Sequence, residues 1–579
     1  MSNWVQAGAA NRIKLNGARS FAFEDKRIAL FRRPDGIYAS DNRCPHEGYA
    51  LVRGDVKDGT LTCAWHNWKF ELGSGTCTRG GENVRTYPVK VTDGQVFVDI
   101  EDPPAEVIRP ELFASLTAAL EDVSVGRLAR DALRLRKIGT PLADMVREGV
   151  RYAAPRAGNG WDHSLATLTD CLRMSEFFEE SLQALPVIQG LAVAAENHRL
   201  RPARERPDPV DPVAAYGSVA EALAAYPALV EDERAWEAEA LLRGLIAADA
   251  EPAAIRHAVL TAVTDHFLAY GHSMIFAQKA FDLLDQIGWA EADTVLSPLV
   301  PEMVIGTKYD RLPYMRKFLR AWESASPDLD ALAARAGTGR FDEAGYRRAL
   351  TDGSAQDAAG ALIAALDGGA PVTDVIGATG RAASERLARF DIDMDLDPGS
   401  EFGWLDVTHT LTYLNALRWA WSADPSPQVL RGLFHAAWFV QWTGQYDTRG
   451  AVRAVTPHPT QDASEVHRAI VARDPEAAAA LASGYTGPRG ALEKALAQAA
   501  AEDHSTAPIM VAHVVKTAQA AVSESRALGD TPASAEPIAA AARFLASPKR
   551  ERFVYQSTLE AITTLSGAVR PDSDTLRPR

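Results

Sequence analysis

One stretch restricts this chain more than any other, because its residue types and spacing dictate a cofactor. It runs Cys44-Pro45-His46-Glu47-Gly48 and then, after sixteen residues counted from His46, Cys63-Ala64-Trp65-His66. A C-x-H pair followed by a C-x-x-H pair offers two thiolates and two imidazoles. Two thiolates on one iron and two imidazoles on the other hold a [2Fe–2S] cluster, and the neutral nitrogens raise its potential above that of an all-cysteine cluster. Zinc is the rival for two Cys and two His. Zinc fingers, however, pair Cys with Cys and His with His rather than placing one of each at both ends.

Over residues 1 to about 102 the sequence resembles the Rieske [2Fe–2S] domain family, with Trp65, Trp68, Phe70 and the turn Gly73-Ser74-Gly75-Thr76-Cys77 beside the ligand motif. The resemblance implies cluster ligation by Cys44, His46, Cys63 and His66. Respiratory-type members carry two further cysteines that cross-link the ligand loops. Here Tyr49 and Ala50 follow the first pair and Trp65 precedes His66, so the pattern is that of the lower-potential ferredoxin and oxygenase branch. Asn67 departs from the family, which usually has Gly after the last ligand. Cys77 is expected to pack, not to ligate.

At 579 residues the chain exceeds one ordinary domain. No apolar run approaches eighteen residues, and Met1-Ser2-Asn3-Trp4 does not open a leader, so a cytoplasmic protein without membrane segments is expected. Four cysteines, two of them committed to the cluster, fit a reducing compartment. A net charge of −15 argues against nucleic acid and anionic membranes as partners.

Residues 1–102 read as all-β. Ile28 to Phe31 and Ile37 to Ser40 flank Pro34-Asp35-Gly36, and Val89 to Val91 and Val96 to Val98 flank Asp93-Gly94, which are hairpin signals. The ligand loops should project from the tip of these sheets with the histidine edges near solvent. Glu101-Asp102-Pro103-Pro104 reads as a break, residues 103–150 as a linker with leading helices, and 151–579 as a large all-α domain. Apolar residues recur at helical spacing in 111–123, 231–247, 252–268, 273–287, 408–421 and 430–442. Insertions are expected at about 200–213, which is Pro- and charge-rich, and at 325–400, which holds Ala336-Gly337-Thr338-Gly339 and Asp367-Gly368-Gly369. Arg570 to Arg579 reads as a polar tail. The fold class is therefore multidomain, a small all-β domain followed by a large all-α one.

A lone histidine is by default a core or surface residue, but four stand in suggestive contexts. His163 follows Asp162, which can cap a helix. His272 opens the apolar helix from Ser273. His409 lies three residues after Asp406, on one helical face. His513 shares a face with Lys516. The familiar oxygenase partner of a Rieske domain is an α+β domain with a D-x-x-H-x-x-x-x-H run, and neither is present here. Instead, Trp161-Asp162-His163-Ser164-Leu165, His272-Ser-Met-Ile, the stretch from His409 to Arg418 and His513-Val-Val-Lys516 resemble, in order, motifs of the questin oxidase-like family of all-helical oxygenases. Asp162 replaces that family's usual Asn. The resemblance implies a mononuclear non-haem Fe(II) held by His163, His272, His409, His513 and a Lys516 carboxylated by CO2. A protonated lysine has no lone pair to give, whereas burial beside a metal favours the neutral amine that can take up CO2. His266 competes with His272 for its place, and Asp406 is the candidate catalytic group, orienting His409. His435 is expected to pack.

The two resemblances together imply an oxygenase that receives electrons from an NAD(P)H-dependent reductase or a ferredoxin and oxidises a small organic substrate with O2. Ring cleavage by a dioxygenase consumes no external electrons, so a fused electron carrier favours monooxygenation. A redox sensor or electron-transfer protein with a non-catalytic helical domain is the alternative, and a hydrolase with another metal ranks last. Trp404, Trp419, Trp438 and Trp442 suit an aromatic or polyketide-like substrate and serve equally as core. A homo-oligomer is compatible with these features.

Overall fold

The hairpin signals around Asp-Gly correspond to antiparallel strands in the computed structural model, which describes residues 2–550 apart from 25, 336, 398–399, 401–402, 448–454 and 503, together with 554, 558 and 561. Three small sheets result. Trp4–Ala9, Gln95–Asp99 and Val89–Thr92 form one, and Ala18–Phe23, Lys26–Arg33, Gly36–Asp41 and Thr86–Tyr87 the second. The third is Asp55–Lys57, Thr60–Thr62, Lys69–Glu71 and Cys77–Arg79. Strand Lys26–Arg33 is apolar on both faces for a reason. Ile28 and Leu30 point into a core with Val96 and Val98, while Ala29 and Phe31 point into a second core with Leu61, Phe70 and the thiols Cys44 and Cys63.

The chain divides into two compact units, 1–140 and 141–579. The first therefore holds two helices besides the sheets, Ala105–Glu121 and Val125–Lys137. The second is helical, with no strand beyond isolated bridges among its described residues. Its helices follow the apolar spacing in the sequence: Pro252–Asp265, His272–Ile287, Trp404–Ala423 and Pro427–Trp442. The stretch 231–247 is broken, because Val219–Glu231 ends and Ala235–Ala247 begins across Glu233 at φ 59°. Residues 198–211, which include the Pro-rich segment, carry no regular element. The tail expected at 570–579 lies outside the described residues. No helix among the described residues is long and apolar enough to cross a membrane.

Residues 325–400 correct the sequence reading. They are not a surface insertion but a set of helices, Leu329–Arg335, Glu343–Asp352, Ala355–Asp367 and Val372–Arg389, with the Gly337, Gly339, Gly368 and Gly369 of the glycine-rich stretches lying between them. Their alanine-rich apolar faces bury little area per residue and so give a weak pattern. Arg386 shows how deeply the last helix is set. It is almost fully buried, with Nε donating to Val440 O at 2.9 Å, Nη2 to Thr351 O at 2.5 Å and Nη1 to the Asp447 carboxylate. Arg386→Met should destabilise the helical unit by about 3 kcal/mol or more, since two carbonyls and a carboxylate lose their donor. Urea unfolding followed by circular dichroism measures this, and a change below about 1 kcal/mol would show that water replaces the guanidinium.

Candidate metal centres

The two ligand loops of the N-terminal unit are built alike. Cys44 N–H donates to Tyr49 O and Cys63 N–H to Trp68 O, each at 2.8 Å, so each loop closes five residues after its cysteine. The fourth residue after each cysteine is left-handed: Gly48 at φ 75° and Asn67 at φ 60°. Asn tolerates that conformation better than other non-glycine residues, which accounts for Asn67 where glycine is usual. Cys44 and Cys63 are buried, His66 is exposed, and the His46 and His66 rings meet edge to face at 4.6 Å. Trp68 stacks on His46 at 4.7 Å and Trp65 on His66 at 4.7 Å. Cys77 lies partly buried against this core, apart from the loops. No disulfide joins the four cysteines.

This donor set fits a mixed-ligand cluster. His46 Nδ1 is buried without a hydrogen-bond partner, an orphan that an iron would satisfy. Burial pushes the Cys44 thiol up to about 12, with Cys63 beside it adding to the rise and the His46 and Glu47 amides opposing it. Those amides would stabilise a metal-bound thiolate. The Rieske [2Fe–2S] domain model matches residues 3–89. The N-terminal domain belongs to the Rieske family. The Rieske domain is 34% identical over 112 residues to 4beta-methylsterol monooxygenase of Methylococcus capsulatus, covering 17% of this chain and 30% of that protein. It is 29% identical over 99 residues to the ferredoxin component of the naphthalene 1,2-dioxygenase system of Pseudomonas putida, and 30% identical over 102 residues to the anthranilate 1,2-dioxygenase ferredoxin subunit of Burkholderia cepacia. These two matches cover 17% of this chain and 95% and 94% of the ferredoxins. The chain thus spans a ferredoxin almost whole and less than a third of the monooxygenase.

In the helical unit, His163, His272, His409 and His513 present ligand nitrogens that all lie within 4.8 Å of one another. Four helices supply them. His163 is the first residue of His163–Met174, capped by Asp162, whose Oδ1 accepts Ser164 N–H at 2.9 Å. His272 opens its helix behind three consecutive left-handed residues, Ala269, Tyr270 and Gly271. A Cβ at Gly271 would lie 2.8 Å from the Tyr413 ring, so only glycine fits there. His409 stands on Trp404–Ala423, and His513 and Lys516 on Pro508–Ala527.

Backbone carbonyls fix the tautomers. His272 Nδ1 meets Ala269 O at 2.6 Å, His513 Nδ1 meets Ile509 O at 2.7 Å, and His409 Nδ1 meets Leu405 O. A carbonyl only accepts, so Nδ1 carries the proton in each ring and the neutral Nε2 keeps its lone pair. His272 Nε2 then faces His163 Nε2 at 3.2 Å and His409 Nε2 at 3.0 Å, while His513 Nε2 is buried without a partner. Converging lone pairs repel unless a cation sits among them. Burial holds His163, His409 and His513 well below their usual value and His272 at about 3, with further lowering by the neighbouring charges. Protons on the rings therefore do not supply that cation near neutral pH. Lys516, also buried, lies 3.2 Å from His409 Nε2, and burial pulls it down to about 7.

Two expectations change. Asp406 does not orient His409, because the Leu405 carbonyl takes His409 Nδ1. Asp406 instead accepts Gly403 N–H at 2.7 Å at its own helix start, and burial raises it to about 7. His266 is not part of the set either. Its Nδ1 pairs with Asp310 at 2.8 Å, and it gathers with Glu231 and Asp265 around a separate cavity of about 290 Å³. Lys308 and Arg311 already neutralise Glu231, and Arg431 neutralises Asp265.

Sequence reasoning missed the buried pair Lys279–Asp170, 2.7 Å apart, whose charges act on Lys516. A signal was present, since Asp170 and Lys279 each lie seven residues, two turns, after His163 and His272. It also missed Glu302, which accepts from Ser273 at 3.1 Å and is raised to about 8 by burial, and Tyr270, whose ring stands 5.8 Å from His409. Nothing local marks either.

Proposed function

We propose that this chain is an oxygenase in which electrons received at the Rieske domain, from an NAD(P)H-dependent reductase or a ferredoxin, are spent in the helical unit on O2-dependent oxidation of a small organic substrate. The observation that carries the reading is the convergence of ligand nitrogens from four histidines, two buried and two half-buried, beside Lys516, with Nε2 left unprotonated in His272, His409 and His513. Imidazoles suit ferrous iron, and a bound iron would supply dioxygen activation there. The protein's part is to hold the ligands. Ala269, Leu405 and Ile509 lock three rings through Nδ1, leaving Nε2 to bind. With its pKa brought to about 7, Lys516 is substantially neutral near neutral pH and able to take CO2 onto Nζ, giving the anionic oxygen that four neutral ligands lack.

Tyr270 lies between His409 and an aromatic wall: its ring is 5.9 Å from Trp442, which is 5.8 Å from Trp438. Trp438, Trp442 and Phe318 line a cavity of about 360 Å³, which suits a flat aromatic or polyketide-like molecule. A second opening of about 200 Å³ is lined by His163, Asn197 and Arg201. An electron-fed site favours monooxygenation, and four unpaired cysteines fit a cytoplasmic setting.

Iron and acid-labile sulfide per chain on anaerobically purified protein test the reading. About three irons with two sulfides are expected, the extra iron beyond the [2Fe–2S] pair residing in the helical unit. About two irons with two sulfides, and no other metal after reconstitution, would leave an electron-transfer or redox-sensing protein.

A further inference from the structure

The helices Ala105–Glu121 and Val125–Lys137 are built into the cluster-bearing unit. Arg130, on the second, is the side chain that ties them to the cluster loops. Its Nη1 donates to the carbonyl of His46, a cluster ligand, at 3.0 Å, and its Nε donates to the Glu82 carboxylate at 2.9 and 3.2 Å. Glu82 is 4% exposed and takes a second guanidinium, Arg134 Nη1, at 3.4 Å. Arg134 also donates to Asp131 at 2.9 Å, and the fully buried Asp131 accepts from Ser115 of the first helix at 2.6 Å. The turn that carries Glu82 is itself pressed on the cluster site. A Cβ at Gly80 would lie 2.4 Å from Trp68, the ring that stacks on His46. One arginine thus joins the first ligand loop, the 80–83 turn and the helical hairpin.

We propose that Arg130 is a positioning residue of the [2Fe–2S] site, fixing the His46 loop through the ligand's own carbonyl, and that the Arg130–Glu82 pair sets the potential of the cluster. Reduction places one electron from the donor protein on the cluster, and no bond between protein atoms is made or broken. The guanidinium at the His46 carbonyl stabilises the added negative charge, and the Glu82 carboxylate opposes it. Glu82, with its side chain 3% exposed, is little screened, while Arg130, 31% exposed, acts through its direct hydrogen bond to the ligand's carbonyl. The two groups therefore pull the potential in opposite directions. The pair lies wholly within residues 1–140, so its effect stands whether or not the helical unit oxidises a substrate.

The test is a redox titration of the reduced-cluster EPR signal in the full chain at one pH, for the parent protein, Arg130→Gln, Arg130→Lys and Glu82→Gln. Arg130→Gln is expected to lower the potential and Glu82→Gln to raise it. Arg130→Lys keeps the charge but loses the fork, so it should lower the potential less than Arg130→Gln while broadening the signal. Loosening of the loop alone would shift both partners' variants the same way. Shifts of one sign in Arg130→Gln and Glu82→Gln, or none, overturn the proposal. If Arg130→Gln fails to retain its cluster, the near-isosteric Glu82→Gln decides alone: a rise supports the assignment, and no change or a fall overturns it.

Discussion

A His409→Ala protein is expected to keep its [2Fe–2S] cluster and to lose substrate-dependent oxygen uptake. His409 is the hub of the four-histidine pocket, with Nε2 3.0 Å from His272 Nε2 and 3.2 Å from Lys516 Nζ, and its ring 5.0 Å from that of His513. Its loss removes a proposed ligand and opens a buried void beside the remaining nitrogens. Activity should therefore fall by more than the ~10–100-fold that loss of an outer-shell partner costs. Iron should drop by about one per chain while sulfide stays at two, because the cluster ligands lie in the other unit. Asp406→Asn is the control, for that carboxyl serves its own helix start. It should retain the extra iron. A His409→Ala protein with undiminished iron and turnover would remove the pocket from the chemistry.

Lys516→Met should separate stability from metal binding. The lysine lies buried, its amine brought from the usual 10.5 down to about 7 by burial. Between those values the unfolded chain holds a proton that the folded chain does not, so the metal-free protein gains stability as pH rises from 7 to 10.5. The slope is up to about 1.4 kcal/mol per pH unit. Methionine fills similar space without the charge, so at pH 7 the metal-free variant should be more stable than the parent by a few kcal/mol, with that climb abolished. The histidines act in both proteins alike. Their folded values are depressed, so stability falls as pH drops below 6.5. Iron affinity in Lys516→Met should meanwhile fall, and it should no longer respond to stripping CO2 from the buffer. Urea melts of metal-free protein from pH 7 to 10 together with iron titrations measure both. A parent whose stability is flat across that range would place the ammonium in contact with water.

What the sequence made legible was chemistry tied to local spacing. The Cys44 to His66 run and the hairpins around it needed only neighbours, whereas the histidines at 163, 272, 409 and 513, each on one helix, were singled out as a set by the resemblance of their short motifs to a known family. What it hid depended on distance along the chain. Asp406 and His409 share a helical face, yet the nearer acceptor for His409 is its own helix backbone four residues back. His266 has a histidine's ligating chemistry, but Asp310, forty-four residues on, claims it. The 325–400 helices were masked by alanine and glycine, whose small side chains weaken periodicity while permitting tight packing. Arg130 gave no sign of its role, since nothing in its helix announces a partner at His46.

The two candidate metal centres also differ in when they can exist. The cluster ligands fall within residues 44–66, whereas the histidine pocket draws on residues from 163 to 516. At about 5–20 residues per second, synthesis separates the first and last pocket ligands by tens of seconds. During that time His163 and His272 have no completed cage, and closing it needs contacts of long sequence separation, which form slowly. The N-terminal site is complete in the nascent chain long before. The cluster site should accordingly be able to take up its cofactor before the histidine pocket can close on a metal.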